Sequence, residues 1–102
     1  MPSFWLKAAK TVMFYTYVLF CEDTKTGKSQ LYVGSSSNLK QRLDSHLTKS
    51  VKTTKNFDII KLVYYEACLS KTDSRKREIQ LKTGFGRGYI KKRIENYIKM
   101  RD

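Results

Sequence analysis

Five side chains in this 102-residue sequence stand out because packing alone does not require their types and spacing: Tyr17, Tyr32, Arg42, His46 and Glu78. Tyr17 and Tyr32 fall in consecutive strand-like runs, and a hairpin can bring both to one face. Arg42 and His46 lie four apart in a helical run and so share a face. Glu78 is a lone carboxylate amid Arg75, Lys76, Arg77 and Lys82, which makes it either an ion-pair partner or a metal ligand. Phenols and an imidazole can relay protons, and a guanidinium fork matches paired anionic oxygens. Each residue alone also has an ordinary reading. Strand tyrosines pack, a helix arginine is surface charge, His46 caps or packs, and Glu78 pairs with Lys82 one turn on.

The elements that must position these residues can be read from periodicity. Phe14 to Cys21 (FYTYVLFC) has the length and β-rich composition of a buried strand. Glu22 to Ser29 is polar, contains Gly27, and reads as a turn. Gln30 to Ser35 returns as a second strand, giving an antiparallel hairpin. Ser35, Ser36, Ser37 and Asn38 offer helix caps, after which Leu39, Leu43 and Leu47 mark one face of a helix of about three turns. Lys49 to Asn56 is a basic, Thr-rich loop. Ile59 to Ala67 reads as a third strand, where alternation sends at least one of Tyr64 and Tyr65 into the core. Ser70 to Ser74 caps a second helix ending near Gly84, a residue suited to a left-handed turn. The run Gly84-Phe85-Gly86-Arg87-Gly88 follows a helix, so it reads as a stop and turn, not a nucleotide-binding fingerprint. A third helix follows Gly88, with Ile90, Ile94, Tyr97 and Ile98 on one face. The order β-β-α-β-α-α predicts one α+β domain over 14–102 with a small three-stranded antiparallel sheet. Residues 1–13 form a lead that is either a short helix or disordered.

Composition narrows the partners. Lys and Arg total 21 against nine Asp and Glu, a formal net charge of +12. Such a balance draws polyanions, and nucleic acid is the default for a small basic domain. The excess is spread along the chain, with ten basic and five acidic groups in residues 1–70 and eleven and four in 71–102. Lys49, Lys52, Lys55, Arg87, Lys91 and Lys92 are candidate phosphate contacts, although solvated surface charge explains any one of them equally well. No apolar run is long enough to span a membrane, and the N-terminus lacks the pattern of a secretory signal, so a cytoplasmic location is expected. Cys21 and Cys68 are too few for a disulfide framework and sit in no metal-ligand pattern; reduced, partly buried thiols are expected.

Tyr15-Thr16-Tyr17, then Tyr32-Val33-Gly34, then Arg42, His46 and Glu78 resemble the GIY-YIG nuclease pattern in order and spacing. The first triplet keeps only the terminal tyrosine; the second is close. LYVGSSSNLKQRLDSH, KLVYYE and KREIQLKTGFGR look like the small stand-alone branch of that superfamily, and the similarity runs from about Phe14 to Ile94.

The resemblance implies a metal-dependent endonuclease that hydrolyses phosphodiester bonds in DNA. Glu78 would hold one Mg²⁺, with Mn²⁺ as a substitute, and Arg42 would contact the scissile phosphate. Tyr17 would be general base on the attacking water, its phenol depressed by nearby cations. Tyr32 would order water, His46 would assist by hydrogen bonding or proton transfer, and Gly34 would allow close approach. Two positions depart from the pattern: some members have lysine where Ser35 stands, and some carry a late asparagine for which Asn96 is the only candidate. Little chain is left for a separate recognition module, so selection of DNA structure or damage over sequence is expected, with repair or recombination as the setting by analogy. The alternatives are a non-catalytic nucleic-acid-binding protein on the same fold and, more weakly, a basic subunit that delivers a partner to DNA.

Overall fold

The computed structural model describes residues 11–49, 51 and 54–101. Residues 1–10 of the expected lead, and Lys52, lie outside the described residues. Three strands, β1 (Phe14–Glu22), β2 (Ser29–Ser36) and β3 (Ile59–Cys68), form one antiparallel sheet in the order β2-β1-β3. Among the described residues, four helices accompany it: α1 (Leu39–Leu47), α2 (Lys71–Leu81), α3 (Gly84–Arg93) and α4 (Glu95–Arg101). The fold is α+β, as the element order predicts.

β1 is the central strand, which explains its near-continuous apolar sequence: Tyr17, Val18, Leu19 and Cys21 are fully buried. Alternation divides them between two cores. Val18 joins Val33, Leu81, Ile90 and Ile94 on the face covered by α2 and α3, with Tyr97 of α4 packed against the cluster. Tyr17, Leu19 and Cys21 lie on the other face, against Tyr32, Leu39, Leu43, Phe57 and Ile60. The β1–β3 register shifts between Val18 and Leu19, which pair with Tyr64 and Leu62. Val63 is therefore the extra residue of a bulge, and both Val63 and Tyr64 reach the Val18 core. Tyr65 stays exposed. Cys21 is buried, Cys68 half-buried, and both are free thiols.

Four local expectations are corrected. Leu47 does not continue the buried stripe of α1; it is exposed, and His46 takes the inward place after Leu39 and Leu43. Positions 39, 43 and 46 follow the helical repeat more closely than two steps of four. The second helix ends at Leu81, earlier than expected. The glycine-rich run is not a turn but the start of α3. Thr83 caps it, its hydroxyl accepting from the Gly86 amide at 3.2 Å, and among the described glycines only Gly27 has a left-handed φ. Gly86 is needed for a different reason: a Cβ there would lie 2.3 Å from Leu81 Cα, so glycine lets α3 start against the end of α2. The third predicted helix is two, broken at Ile94 (φ −112°, ψ 20°). Its apolar face survives the break, since Ile90 and Ile94 are buried and Tyr97 packs on them.

α2 is oriented by two interlocks that hold Glu78 toward the sheet. Thr16 of β1 donates to the Ser74 carbonyl at 2.9 Å, with the two hydroxyls 3.2 Å apart. Arg77 forks onto Glu66 of β3 through Nε (2.9 and 3.1 Å) and Nη2 (2.9 Å). Its guanidinium also lies over the Tyr89 ring, 4.7 Å from the centroid. A basic residue in a charged run thus proves to be a clamp.

Candidate active site

Tyr17 projects from the middle of β1 on the α1 face, and its hydroxyl is the meeting point of the site. His46 Nε2 lies 2.9 Å away, and Arg42 Nε donates to the same oxygen at 3.2 Å. The expected shared face of Arg42 and His46 is thus the face of α1 turned to β1. Asn38 starts the helix in that orientation, its side chain accepting from the Gln41 amide at 3.1 Å. Tyr32 closes the group: its ring centroid is 6.4 Å from that of Tyr17 and 5.0 Å from that of His46.

Gly34 pairs with Tyr17 across the strands. A Cβ at Gly34 would sit 2.5 Å from Tyr17 Oη and 2.6 Å from Cζ. No Cβ can occupy that space while the fully buried ring keeps its place. Gly34→Ala is accordingly expected to displace Tyr17 and lower stability by about 1–3 kcal/mol. Urea unfolding of the variant checks this; an unchanged midpoint would mean that the ring moves freely.

Glu78 approaches from α2. Its carboxylate accepts from Ser35 Oγ at 2.7 Å and from Lys82 Nζ at 2.8 Å, with Arg75 Nε at 3.9 Å. Both sequence alternatives for Glu78 therefore start from an ion pair with Lys82, a side chain more than half exposed. Ser35, where some relatives of the pattern have lysine, is the hydroxyl that orients the carboxylate. Burial raises the Glu78 carboxyl, but the hydrogen bonds from Lys82 and Ser35 and the charges of Lys82 and Arg75 outweigh it, so it lies below the usual range and is ionised at neutral pH. Its charge reaches Tyr17, where it acts to raise the phenol.

The donor set decides what cation could be held. Among the described residues no three His, Cys, Asp or Glu side chains cluster, so an all-protein cage is not formed there. One ionised carboxylate with an exposed ammonium partner fits a hard divalent ion that keeps most of its ligands as water and substrate oxygens.

The proton-bearing groups are tuned against the sequence expectation. Burial pushes the Tyr17 phenol above its ordinary value despite the Arg42 hydrogen bond that lowers it. Nearby cations therefore do not depress it in the free protein, because the hydroxyl is sealed from water. Burial and then the Arg42 charge push the His46 imidazole down from 6.5 to about 4. The unfolded chain binds this proton near pH 6.5 and the folded chain only near 4, so the stability is complete above 6.5 and declines as pH falls to 4. The expected loss is about 3 kcal/mol. Urea midpoints measured across that window should fall for the wild type and flatten for His46→Gln; an equal slope in both would contradict the buried neutral imidazole.

One site residue was missed in the sequence. Thr54, in the loop before β3, is fully buried with Oγ1 2.8 Å from His46 Nδ1. Nothing in a basic, Thr-rich stretch marks which threonine turns inward. Asn96 is exposed on α4. The candidate phosphate contacts are scattered. Arg87 and Lys91 line a groove of about 610 Å³ on the α3 face of the sheet, bounded by Val18, Leu31 and Ile94. Lys92 pairs with Glu95 at 3.8 Å, Lys49 Nζ donates to the Phe57 carbonyl, and Lys55 is exposed. No described helix is long and apolar enough to cross a membrane.

Comparison with known proteins agrees with this geometry. A family model described as the GIY-YIG catalytic domain matches residues 13–93. The chain is 35% identical over 82 residues to a UPF0213 protein of Staphylococcus haemolyticus, covering 79% of this chain and 93% of that one. It is 34% identical over 71 residues to a UPF0213 protein of Clostridium perfringens, covering 69% and 71% respectively. No solved structure matches it significantly.

Proposed function

Because this chain belongs to the GIY-YIG family, a nuclease-type fold, we propose that it is an endonuclease that hydrolyses phosphodiester bonds in DNA with the help of Mg²⁺. The observation that carries the reading is the hydrogen-bonded set of buried Tyr17 and His46 with half-buried Arg42, together with the ionised carboxylate of Glu78 held by Ser35 and Lys82. A packing cluster has no need of that combination.

Glu78 would hold the ion, and Mn²⁺ would substitute for Mg²⁺. When bound, the ion offsets negative charge on the scissile phosphate and its leaving oxygen. The remaining work falls to the side chains. Arg42 is only half-buried, so an incoming phosphate can draw its guanidinium off Tyr17 and onto its own oxygens. That movement opens the Tyr17 hydroxyl to a water molecule. As the water oxygen bonds to phosphorus, its proton passes to Tyr17 Oη and the Tyr17 proton passes to His46 Nε2. The bond from phosphorus to the 3′ oxygen breaks, and that oxygen takes a proton from solvent. Phosphate charge beside Arg42 also removes one of the two causes that keep His46 from accepting a proton. Tyr32, packed on both rings, orients the water.

The cations at Lys49, Lys55, Arg87, Lys91 and Lys92, together with Lys52, supply backbone contacts, which add affinity and carry no sequence information. Selection of branched, flapped or damaged DNA in repair or recombination is consistent with that. The test is a panel of labelled duplex, single-stranded, flap, bubble and branched DNAs, each incubated with Mg²⁺ and with EDTA. Cleavage of at least one form with Mg²⁺ alone is the expected result. Tight, salt-sensitive binding with no cleavage in Mg²⁺ or Mn²⁺ would replace this reading with a binding module.

A further inference from the structure

We infer that Thr54 is a positioning residue that holds His46 in the tautomer protonated on Nδ1, leaving Nε2 bare to face Tyr17. The inference rests on the functional reading above for its consequence, but on hydrogen-bond counting for its content.

Four polar groups form one line, buried from Tyr17 inward: Arg42 Nε, Tyr17 Oη, the His46 ring and Thr54 Oγ1, with the Val51 carbonyl at its far end. Arg42 can only donate, so it fixes the direction at one end. Its Nε–H points at Tyr17 Oη, and the Tyr17 proton must leave toward another acceptor. His46 Nε2 at 2.9 Å is that acceptor if it carries no hydrogen. Nδ1 then carries the ring hydrogen and donates to Thr54 Oγ1 at 2.8 Å. The Thr54 hydroxyl hydrogen is left for the Val51 carbonyl, 3.5 Å away. Every donor on the line finds an acceptor.

The opposite tautomer fails the same count. With the hydrogen on Nε2, Tyr17 Oη receives two donors, from His46 and from Arg42, and its own proton has no acceptor among the partners described. A buried hydroxyl hydrogen without a partner is disfavoured. Thr54 matters because it accepts from Nδ1 in the favourable arrangement. It is also well held: its amide bonds to the Val51 carbonyl at 3.2 Å, and its carbonyl accepts from the Phe57 amide at 3.1 Å. Valine in its place keeps the volume and removes the acceptor.

His46 is the only histidine, so protein labelled with heavy nitrogen at histidine gives the two ring signals of one residue. At neutral pH the wild type should show a protonated Nδ1 and an unprotonated Nε2. Thr54→Val should abolish that pattern or average it, and Thr54→Ser should restore it. Cleavage should fall in kcat on the order of a hundredfold in Thr54→Val and recover in Thr54→Ser, with KM little changed. A wild type protonated on Nε2 overturns the inference, as does a Thr54→Val spectrum identical to wild type. If Thr54→Val fails to fold, the wild-type and Thr54→Ser spectra still decide. The expected spectra without any cleavage would count against the nuclease reading alone.

Discussion

Glu78→Ala is expected to reduce Mg²⁺-dependent cleavage by on the order of a thousandfold or more while leaving the fold intact. Both halves follow from where the carboxylate sits. Among the described residues it is the carboxylate joined to the strand that carries Gly34 and Tyr32, through Ser35 at 2.7 Å, and no cluster of three His, Cys, Asp or Glu side chains stands in reserve there. Its structural partners are dispensable. Lys82 and Arg75 are 54% and 65% exposed, so their pairing with Glu78 is worth about 1 kcal/mol or less. α2 stays docked through Thr16–Ser74 and Arg77–Glu66. Single-turnover cleavage and thermal unfolding, run side by side, check the two halves. Cleavage surviving in a pure preparation of the variant would remove Glu78 as the ligand. A collapsed melting temperature would show the carboxylate to be structural.

Tyr17→Phe should cost cleavage about 10²–10⁴-fold, with DNA affinity nearly unchanged. The ring still fills the space over Gly34, and Arg42 is freed to meet phosphate, so binding has no reason to weaken. What disappears is the oxygen that would exchange protons between water and His46. The protein should also lose about 1–3 kcal/mol of stability, since His46 Nε2 is left buried without its hydrogen-bond partner. Rate and binding measured on the same labelled DNA separate these outcomes. A variant that cuts at the wild-type rate would exclude Tyr17 as the base and shift attention to Tyr32, which is half-buried where Tyr17 is sealed.

Much of the fold is legible because its signals are local. The aromatic run of β1, the return at Gln30 to Ser35 and the Leu39–Leu43 spacing each reflect one element burying one or two faces. The misread elements depend on contacts distant in sequence or on close backbone approach. Gly86 is glycine because Leu81 backs onto it, and a glycine-rich string after a helix gives no hint that it begins another. The bulge at Val63 lets Tyr64 and Val63 reach one core, which strict alternation forbids.

The candidate site divides the same way. Tyr17, Tyr32, Arg42 and His46 share a face as strand and helix periodicity predict. The pairing of Glu78 with Lys82 follows from helical spacing. The roles of Ser35 and Thr54 do not, because each comes from one hydroxyl meeting a partner on another element. The tuning of the site was misjudged for a related reason: burial of Tyr17 raises its phenol, and burial is a property of the folded whole.

The most direct test of the central claim is to incubate the wild-type protein with the DNA panel and Mg²⁺ in heavy-oxygen water and weigh the products. Water attack on phosphorus predicts one heavy oxygen on the 5′-phosphate of each cut end, and none in EDTA. DNA that is bound but remains intact throughout, or cut ends that carry no heavy oxygen, would contradict the account.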